Sequence, residues 1–89
     1  MAGMIQADPD ELDRAAAVLR QTRDQLTNGA AAMRSGVGRL TTFRGQAADG
    51  FKRDVDRLVR AIQQQAEEVG RQADSLRRLA QDLRAMRIR

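Results

Sequence analysis

The chain contains no cysteine, no histidine, no tryptophan and no tyrosine. Without cysteine, neither a disulfide bond nor a thiolate metal site can hold the protein together. Without histidine, the chain lacks the side chain that most often serves as a general base, and one of the usual zinc ligands. We therefore expect no catalytic residue, no metal site and no cofactor, and we expect the protein not to be an enzyme.

Long apolar runs are also missing. The longest one, from Ala15 to Leu19, is far shorter than the roughly 20 residues that span a bilayer. The segment from Met1 to Ala7 has no positive charge followed by an apolar stretch, which is the pattern of a cleaved signal peptide. We expect no membrane span, and any export would have to use a route other than a cleaved signal peptide.

The formal net charge is +4, and the excess of positive charge lies in the last quarter of the chain. Two interpretations of it stay open. The arginines there could be a solvated helix end, where cations suit the negative pole of the helix dipole. They could instead be a docking patch for an acidic partner or for a phosphate backbone, which makes a basic nucleic-acid-binding helical dimer an alternative function. This C-terminal arginine patch comprises Arg77, Arg78, Arg84, Arg87 and Arg89.

Large apolar residues recur every seven positions in two series. The first series is Leu12, Leu19, Leu26, Met33 and Leu40, and the second is Val55, Ile62, Val69, Leu76 and Leu83. A spacing of seven is two helical turns, so each series forms a stripe along one side of a helix. The pattern predicts an all-α protein, an antiparallel two-helix hairpin. We expect one domain over residues 1–89, with helix 1 at about 9–41, a turn at about 42–45 and helix 2 at about 46–86.

The sequence Asp8-Pro9-Asp10-Glu11 is typical of a helix start. The Asp8 side chain can accept hydrogen bonds from the first backbone N–H groups, and Pro9 suits the first helical position. Glu11, three residues after the cap, completes a pattern like a capping box. We interpret these acidic residues as a cap and not as a metal site.

The end of helix 1 is less clearly encoded. The segment Ser35-Gly36-Val37-Gly38 could break the helix, because each glycine costs about 1 kcal/mol relative to alanine. Leu40 nevertheless stays in the seven-residue register. We therefore expect the helix to continue to about Thr41.

Pairs of an acidic residue and an arginine four positions later occur along both predicted helices, for example Asp10 with Arg14 and Asp56 with Arg60. On an exposed helix face such a pair contributes about 0.2–0.5 kcal/mol. We expect ion pairs of this kind on the outer surface.

A hairpin of this size has one apolar stripe on each helix and no third element to cover them. It would bury a small fraction of its surface, and no disulfide or metal compensates. A lane of small residues beside the first stripe would let another helix approach closely. These features predict an obligate or nearly obligate helical dimer. The predicted partner-binding residues are Leu12, Ala15, Leu19, Leu26, Gly29, Met33, Gly36, Leu40, Leu58, Ile62, Ala66, Val69, Ala73 and Leu76.

The turn carries a family resemblance. Phe43-x-Gly45-x-Ala47-x-x-x-Phe51, midway between two heptad helices, resembles the WXG (Trp-x-Gly) family of small type VII secretion proteins. These are the helical hairpins similar to the early secreted antigenic target. The resemblance implies that Phe43 takes the aromatic role of the motif and that Gly45 takes the tight-turn role. It also implies an antiparallel four-helix bundle, formed as a homodimer or with a related hairpin.

The same resemblance implies a non-enzymatic function in secretion. Members are exported without a cleaved signal peptide, alone or bound to a larger effector, and the secretion ATPase is an expected partner. By this resemblance we expect the protein to be secreted without a cleaved signal peptide, or to be cytoplasmic before export. The sequence departs from the family pattern in two ways, since Phe43 replaces tryptophan and no tyrosine is present for a Tyr-x-x-x-Asp/Glu export signal. A partner could carry that signal, the tail could work differently, or the protein could remain inside as a cytoplasmic adaptor that masks a toxin's helical domain.

Overall fold

The computed structural model of this chain describes residues 7–88, with side chains described for residues 7–87. Two helices account for nearly all of this range, α1 from Pro9–Gly38 and α2 from Gln46–Ile88. They pack side by side and antiparallel, joined by residues 39–45, in a rod of 67 × 23 × 13 Å. The expected all-α antiparallel hairpin is confirmed. The expectation about a signal peptide concerns residues 1–7, most of which lie outside the described range.

Helix α1 begins as the sequence predicts. Asp8 has extended backbone angles, and its carboxylate accepts a hydrogen bond of 2.9 Å from the N–H of Asp10. Pro9 occupies the first helical position, and the N–H of Leu12 donates to the carbonyl of Asp8 at 3.1 Å. The cap therefore satisfies backbone donors that a helix start leaves without a partner.

The predicted end of helix 1 near Thr41 is wrong, because α1 ends at Gly38. The N–H of Arg39 donates to the carbonyl of Ser35 at 3.2 Å, and the N–H of Leu40 donates to the carbonyl of Val37 at 3.0 Å. These two hydrogen bonds close the last turn of the helix. Glycine is costly in a helix because it loses the most backbone entropy. The cost of the two glycines in this last turn exceeds what the seven-residue register of Leu40 contributes to extending the helix. The connection between the helices is therefore longer than the predicted 42–45.

Small side chains form the seam along which the two helices meet. Ala16 and Ala30 of α1 are fully buried, as are Ala73 and Ala80 of α2. Alanine at these positions lets the two backbones approach closely, while the larger apolar residues stand beside the seam. The buried apolar residues are Ala16, Ala30, Ala48, Val59, Ala66, Ala73, Ala80 and Leu83. Within the described range no polar side chain is buried with them.

Candidate partner-binding face

The heptad rows next to the alanine seam lie on opposite sides of it. On each helix, the row of residues three positions after the seam residues lies about 60° from them around the helix axis. Because the two helices are antiparallel, this row of α1 and the matching row of α2 fall on the same side of the hairpin. In both helices this row and the one beyond it hold apolar, small or uncharged polar residues. We call this side the apolar face. Its residues are Leu12, Ala15, Leu19, Thr22, Leu26, Gly29, Met33, Gly36 and Leu40, with Phe51, Val55, Leu58, Ile62, Gln65, Val69, Gln72, Leu76, Leu79, Leu83 and Met86.

The apolar face holds no charged residue at any of these positions. Several of its large side chains are poorly covered by the hairpin itself. Leu58 is 50% exposed and Met86 is 61% exposed, while Leu19 and Ile62 are half-buried. A surface of this extent and composition is typical of a protein–protein contact, because single-chain proteins rarely leave large continuous apolar patches in water.

The opposite side of the seam is a polar edge where charged residues of the two helices meet. The guanidinium of Arg84 contacts the carboxylates of Asp10 and Asp13, each at 2.7 Å. Farther along, Arg34 lies 3.8 Å from Asp56. The hydrogen bonds from Arg84 to Asp10 and then to Asp13 raise the pKa of this arginine above its ordinary value. The polar edge therefore joins the two helices of one chain.

Two of the predicted partner-binding residues lie inside the hairpin. Ala66 is 3% exposed and Ala73 is fully buried against the chain's own α1. We therefore assign both to the alanine seam instead of to the partner surface. The other predicted partner-binding residues all fall on the apolar face.

The apolar face also includes residues outside the predicted set. Leu79 and Met86 continue the row of Leu58 along α2 at seven-residue intervals. Met86 is largely exposed, and Leu79 is half-buried. The signal that could have found them is this second heptad row, which runs beside the first.

The glycines of the apolar face are not required by the hairpin's own packing. A Cβ atom added to Gly29 or to Gly36 would have no atom within 4 Å. Both positions are exposed, and each lies three residues after a large side chain, Leu26 or Met33. The space fits the close approach of a second helix.

The turn motif is compact but exposed. The rings of Phe43 and Phe51 make an edge-to-face contact with centroids 5.8 Å apart. The ammonium group of Lys52 donates to the carbonyl of Phe43 at 3.3 Å. Gly45 has φ of +108°, a backbone angle that other residues rarely adopt, and its carbonyl accepts from the N–H of Asp49 in the first turn of α2. Ala47, the remaining motif residue, is exposed.

The arginines of the C-terminal arginine patch differ in their contacts with the rest of the chain. Arg84 binds the two aspartates of α1, and Arg87 donates to the carbonyl of Ala7 at 3.4 Å. Arg77 and Arg78 are exposed, whereas Arg89 lies outside the described residues. Part of the positive charge thus holds the start of α1 against the end of α2.

Residues 7–88 offer neither a metal site nor a membrane-spanning helix. The acidic side chains of this range include no group arranged to hold a metal ion. Neither α1 nor α2 has a stretch whose length and hydropathy suit a bilayer crossing.

A comparison with known protein families agrees with the helical-hairpin fold. The profile of the WXG100 family, described as proteins of 100 residues with WXG, matches residues 4–86. No curated protein and no solved structure matches the chain significantly.

Proposed function

The chain belongs to the WXG100 family, whose members are small helical proteins associated with type VII secretion, and from this membership we propose that it is a non-enzymatic component of such a system. It acts by pairing its apolar face with another helical hairpin. In that paired form it serves as the partner of an exported effector, or as an exported protein itself.

The observation that carries this proposal is the uncharged apolar face along the hairpin. Burying apolar surface contributes about 25 cal/mol per Å². The half-exposed side chains of this face, such as Leu19, Leu58 and Ile62, gain that contribution only when another molecule covers them. The alanine seam is already filled by the chain's own helices, so the pairing partner must lie on the outside of the hairpin.

The lack of tyrosine bears on which protein carries the export signal. Residues 1–89 contain no tyrosine, and we propose that the effector that travels with the protein carries the Tyr-x-x-x-Asp/Glu signal. The protein then supplies a helical surface that keeps the effector's apolar helices covered before export.

The test combines localisation with a matched pair of variants. A tagged protein is followed in cells and in culture medium, with and without the secretion ATPase, and its co-purifying proteins are identified. Ile62→Asp places a charge on the apolar face, whereas Ala61→Asp places the same charge at an exposed position next to it.

We expect ATPase-dependent appearance in the medium and co-purification of an effector for the unmodified protein and for Ala61→Asp. Both should be lost for Ile62→Asp, while circular dichroism still shows helix. Equal behaviour of the two aspartate variants, or export that does not depend on the ATPase, would contradict the proposal.

A further inference from the structure

We propose that Thr42, in the connection between α1 and α2, is a phosphorylation site for an arginine-directed protein kinase, and that Arg44 and Lys52 hold the phosphoryl group. The site lies in residues 39–53, which we call the turn end. It uses no residue of the apolar face. The inference goes beyond the proposed function and does not depend on it.

The hydroxyl groups of the chain differ in their availability to a kinase. Four of the hydroxyl residues lie within the helices, namely Thr22, Thr27, Ser35 and Ser75. The hydroxyls of Thr22, Thr27 and Ser75 each donate to the backbone carbonyl four residues earlier, at 3.0–3.1 Å. A kinase binds its acceptor in an extended segment, and a hydroxyl within a helix cannot enter it without unfolding. The remaining hydroxyl residues, Thr41 and Thr42, lie outside both helices.

The connection can adopt an extended form while both helices stay folded. All of its residues, 39–45, are exposed. Within the part of the chain that the structure describes, the N–H groups of Thr42, Phe43 and Arg44 donate to no backbone carbonyl. Opening this segment therefore breaks few contacts, which suits a loop that another protein has to bind.

Two cations lie on either side of Thr42. The Nε of Arg44 donates to the carbonyl of Thr41 at 3.4 Å. The ammonium group of Lys52 donates to the carbonyl of Phe43 at 3.3 Å. These carbonyls belong to the residues immediately before and after Thr42, so a phosphoryl group on Thr42 has a guanidinium and an ammonium group close by. Thr41 is placed beside only the first of them.

The turn end carries positive charge that the chain does not neutralise. Its cations are Arg39, Arg44, Lys52 and Arg53, against the single carboxylate of Asp49. None of these four cations forms an ion pair with a carboxylate of the described residues. A phosphoryl group adds a charge of about −1.5 to −2 and three acceptor oxygens. It can therefore form charge-assisted hydrogen bonds here without displacing a carboxylate.

Arg39 supplies the recognition element for the kinase. It stands three residues before Thr42, where an arginine-directed kinase places carboxylates of its own in its substrate groove. In the transfer step the hydroxyl oxygen of Thr42 attacks the γ-phosphorus of a nucleoside triphosphate. The bond from that phosphorus to the bridging oxygen breaks, the nucleoside diphosphate leaves, and the hydroxyl proton passes to the base of the kinase.

The modification changes the turn end in two ways. Most of its excess positive charge is cancelled. Because Lys52 belongs to α2, the phosphoryl group also ties the connection to the first part of that helix. Neither effect alters the apolar face, so the modification can act while a partner is bound there.

Phosphate mapping tests the site. The purified full chain is incubated with a purified arginine-directed kinase, ATP and Mg²⁺, and the modified residue is located by mass spectrometry. We expect one phosphoryl group, on Thr42. Thr41→Ala should keep it and Thr42→Ala should lose it. Arg39→Gln should slow the transfer by about tenfold or more, because a charge-assisted contact is lost, and Arg53→Gln should not. The chain isolated from its own cells should carry the same phosphothreonine.

A phosphorus NMR titration tests the two partners of the phosphoryl group. Nearby cations favour its dianion, so its second pKa should lie about half a unit below the ordinary value of about 6. Replacing both Arg44 and Lys52 with glutamine should return the midpoint to that value. Arg53→Gln removes a cation of the turn end that contacts neither neighbouring carbonyl, and should leave the midpoint unchanged. Circular dichroism shows whether each variant keeps its helices.

Transfer to Thr41 or to a helical hydroxyl in place of Thr42 overturns the site, and so does the lack of any phosphothreonine. A midpoint that does not respond to the loss of Arg44 and Lys52 overturns their assigned role. A chain that is phosphorylated on Thr42 but is neither exported nor bound to an effector supports the site and contradicts the proposed function. Export of a chain that the kinase leaves unmodified does the reverse.

Discussion

The side chain of Arg23 occupies the space that a side chain at Gly70 would need. A Cβ atom added to Gly70 would lie 3.1 Å from Cδ of Arg23 and 3.7 Å from its Nη1. Arg23 stands in the row of the alanine seam, between Ala16 and Ala30. Its stem crosses the seam over the glycine, and its guanidinium reaches Asp24 at 3.0 Å. Arg23 thus fits among the alanines of the seam because Gly70, which lies opposite it on α2, has no side chain.

This relationship predicts a coupled effect of two substitutions. Replacing an unobstructed helical glycine with alanine usually gains about 1 kcal/mol. We expect Gly70→Ala to gain almost nothing, because Arg23 must move. In an Arg23→Ala background the same substitution should recover the gain of about 1 kcal/mol. Urea unfolding of the four variants at one fixed protein concentration measures the coupling, and equal gains in both backgrounds would show that the contact has no energetic effect.

Gly45→Ala should destabilise the hairpin by about 1–3 kcal/mol, because alanine at φ of +108° is strained. Gly50→Ala is the matched control. It lies in the first part of α2, where a Cβ would meet only the end of the Arg53 side chain at 4.0 Å. There we expect a gain of up to about 1 kcal/mol. Thermal unfolding followed by circular dichroism distinguishes the two, and a gain at both positions would mean that the turn relaxes.

Phe43 and Phe51 should be energetically coupled. A double-mutant cycle with alanine at both positions should give about 0.5–1.5 kcal/mol, the usual range for an edge-to-face pair. Phe43→Leu should retain part of the burial and lose the aromatic contact. Because the chain has no tryptophan, Phe43→Trp gives a single fluorescent reporter of unfolding. A coupling near zero would show that the rings do not stabilise the turn.

The carboxylate of Glu68 should contribute pH-dependent stability. Its hydrogen bonds from Gln72 and then from Arg71 lower the pKa below the ordinary 4.5. A lowered folded-state pKa means that the contribution is present above pH 4.5 and is lost as the pH falls through the folded value. We expect Glu68→Gln to flatten this part of the stability profile. In an NMR titration Gln72→Ala should raise the midpoint of Glu68, and Gln64→Ala should leave it unchanged.

Sequence patterns were sufficient for the elements of the fold. The cap at Asp8 and Pro9 depends on local chemistry, and the two heptad series depend on helical periodicity. The end of α1 was mispredicted because register and glycine cost gave opposite indications at Gly38. Only the closing hydrogen bonds of the last turn decide between them.

Sequence patterns were insufficient for deciding which row of each heptad stripe faces the sister helix. The period identifies two adjacent rows, and hydrophobicity alone favours the leucines for the inside. The structure instead puts alanines inside, including Ala66 and Ala73, and leaves the leucines at the side. Sequence patterns likewise did not predict the ion pairs between residues that are far apart in the sequence. Asp56 and Arg60 do pair as expected, but Asp10 pairs with Arg84 across the hairpin.

The contacts of Arg84 and Arg87 with the start of α1 bring both ends of the described chain to one pole of the rod. A cargo protein fused at either terminus would therefore leave from that pole and keep the aromatic turn unobstructed. The turn lies at the opposite pole of a rod that is 67 Å long. Even a bulky fused protein would then be kept away from the turn by the length of the rod.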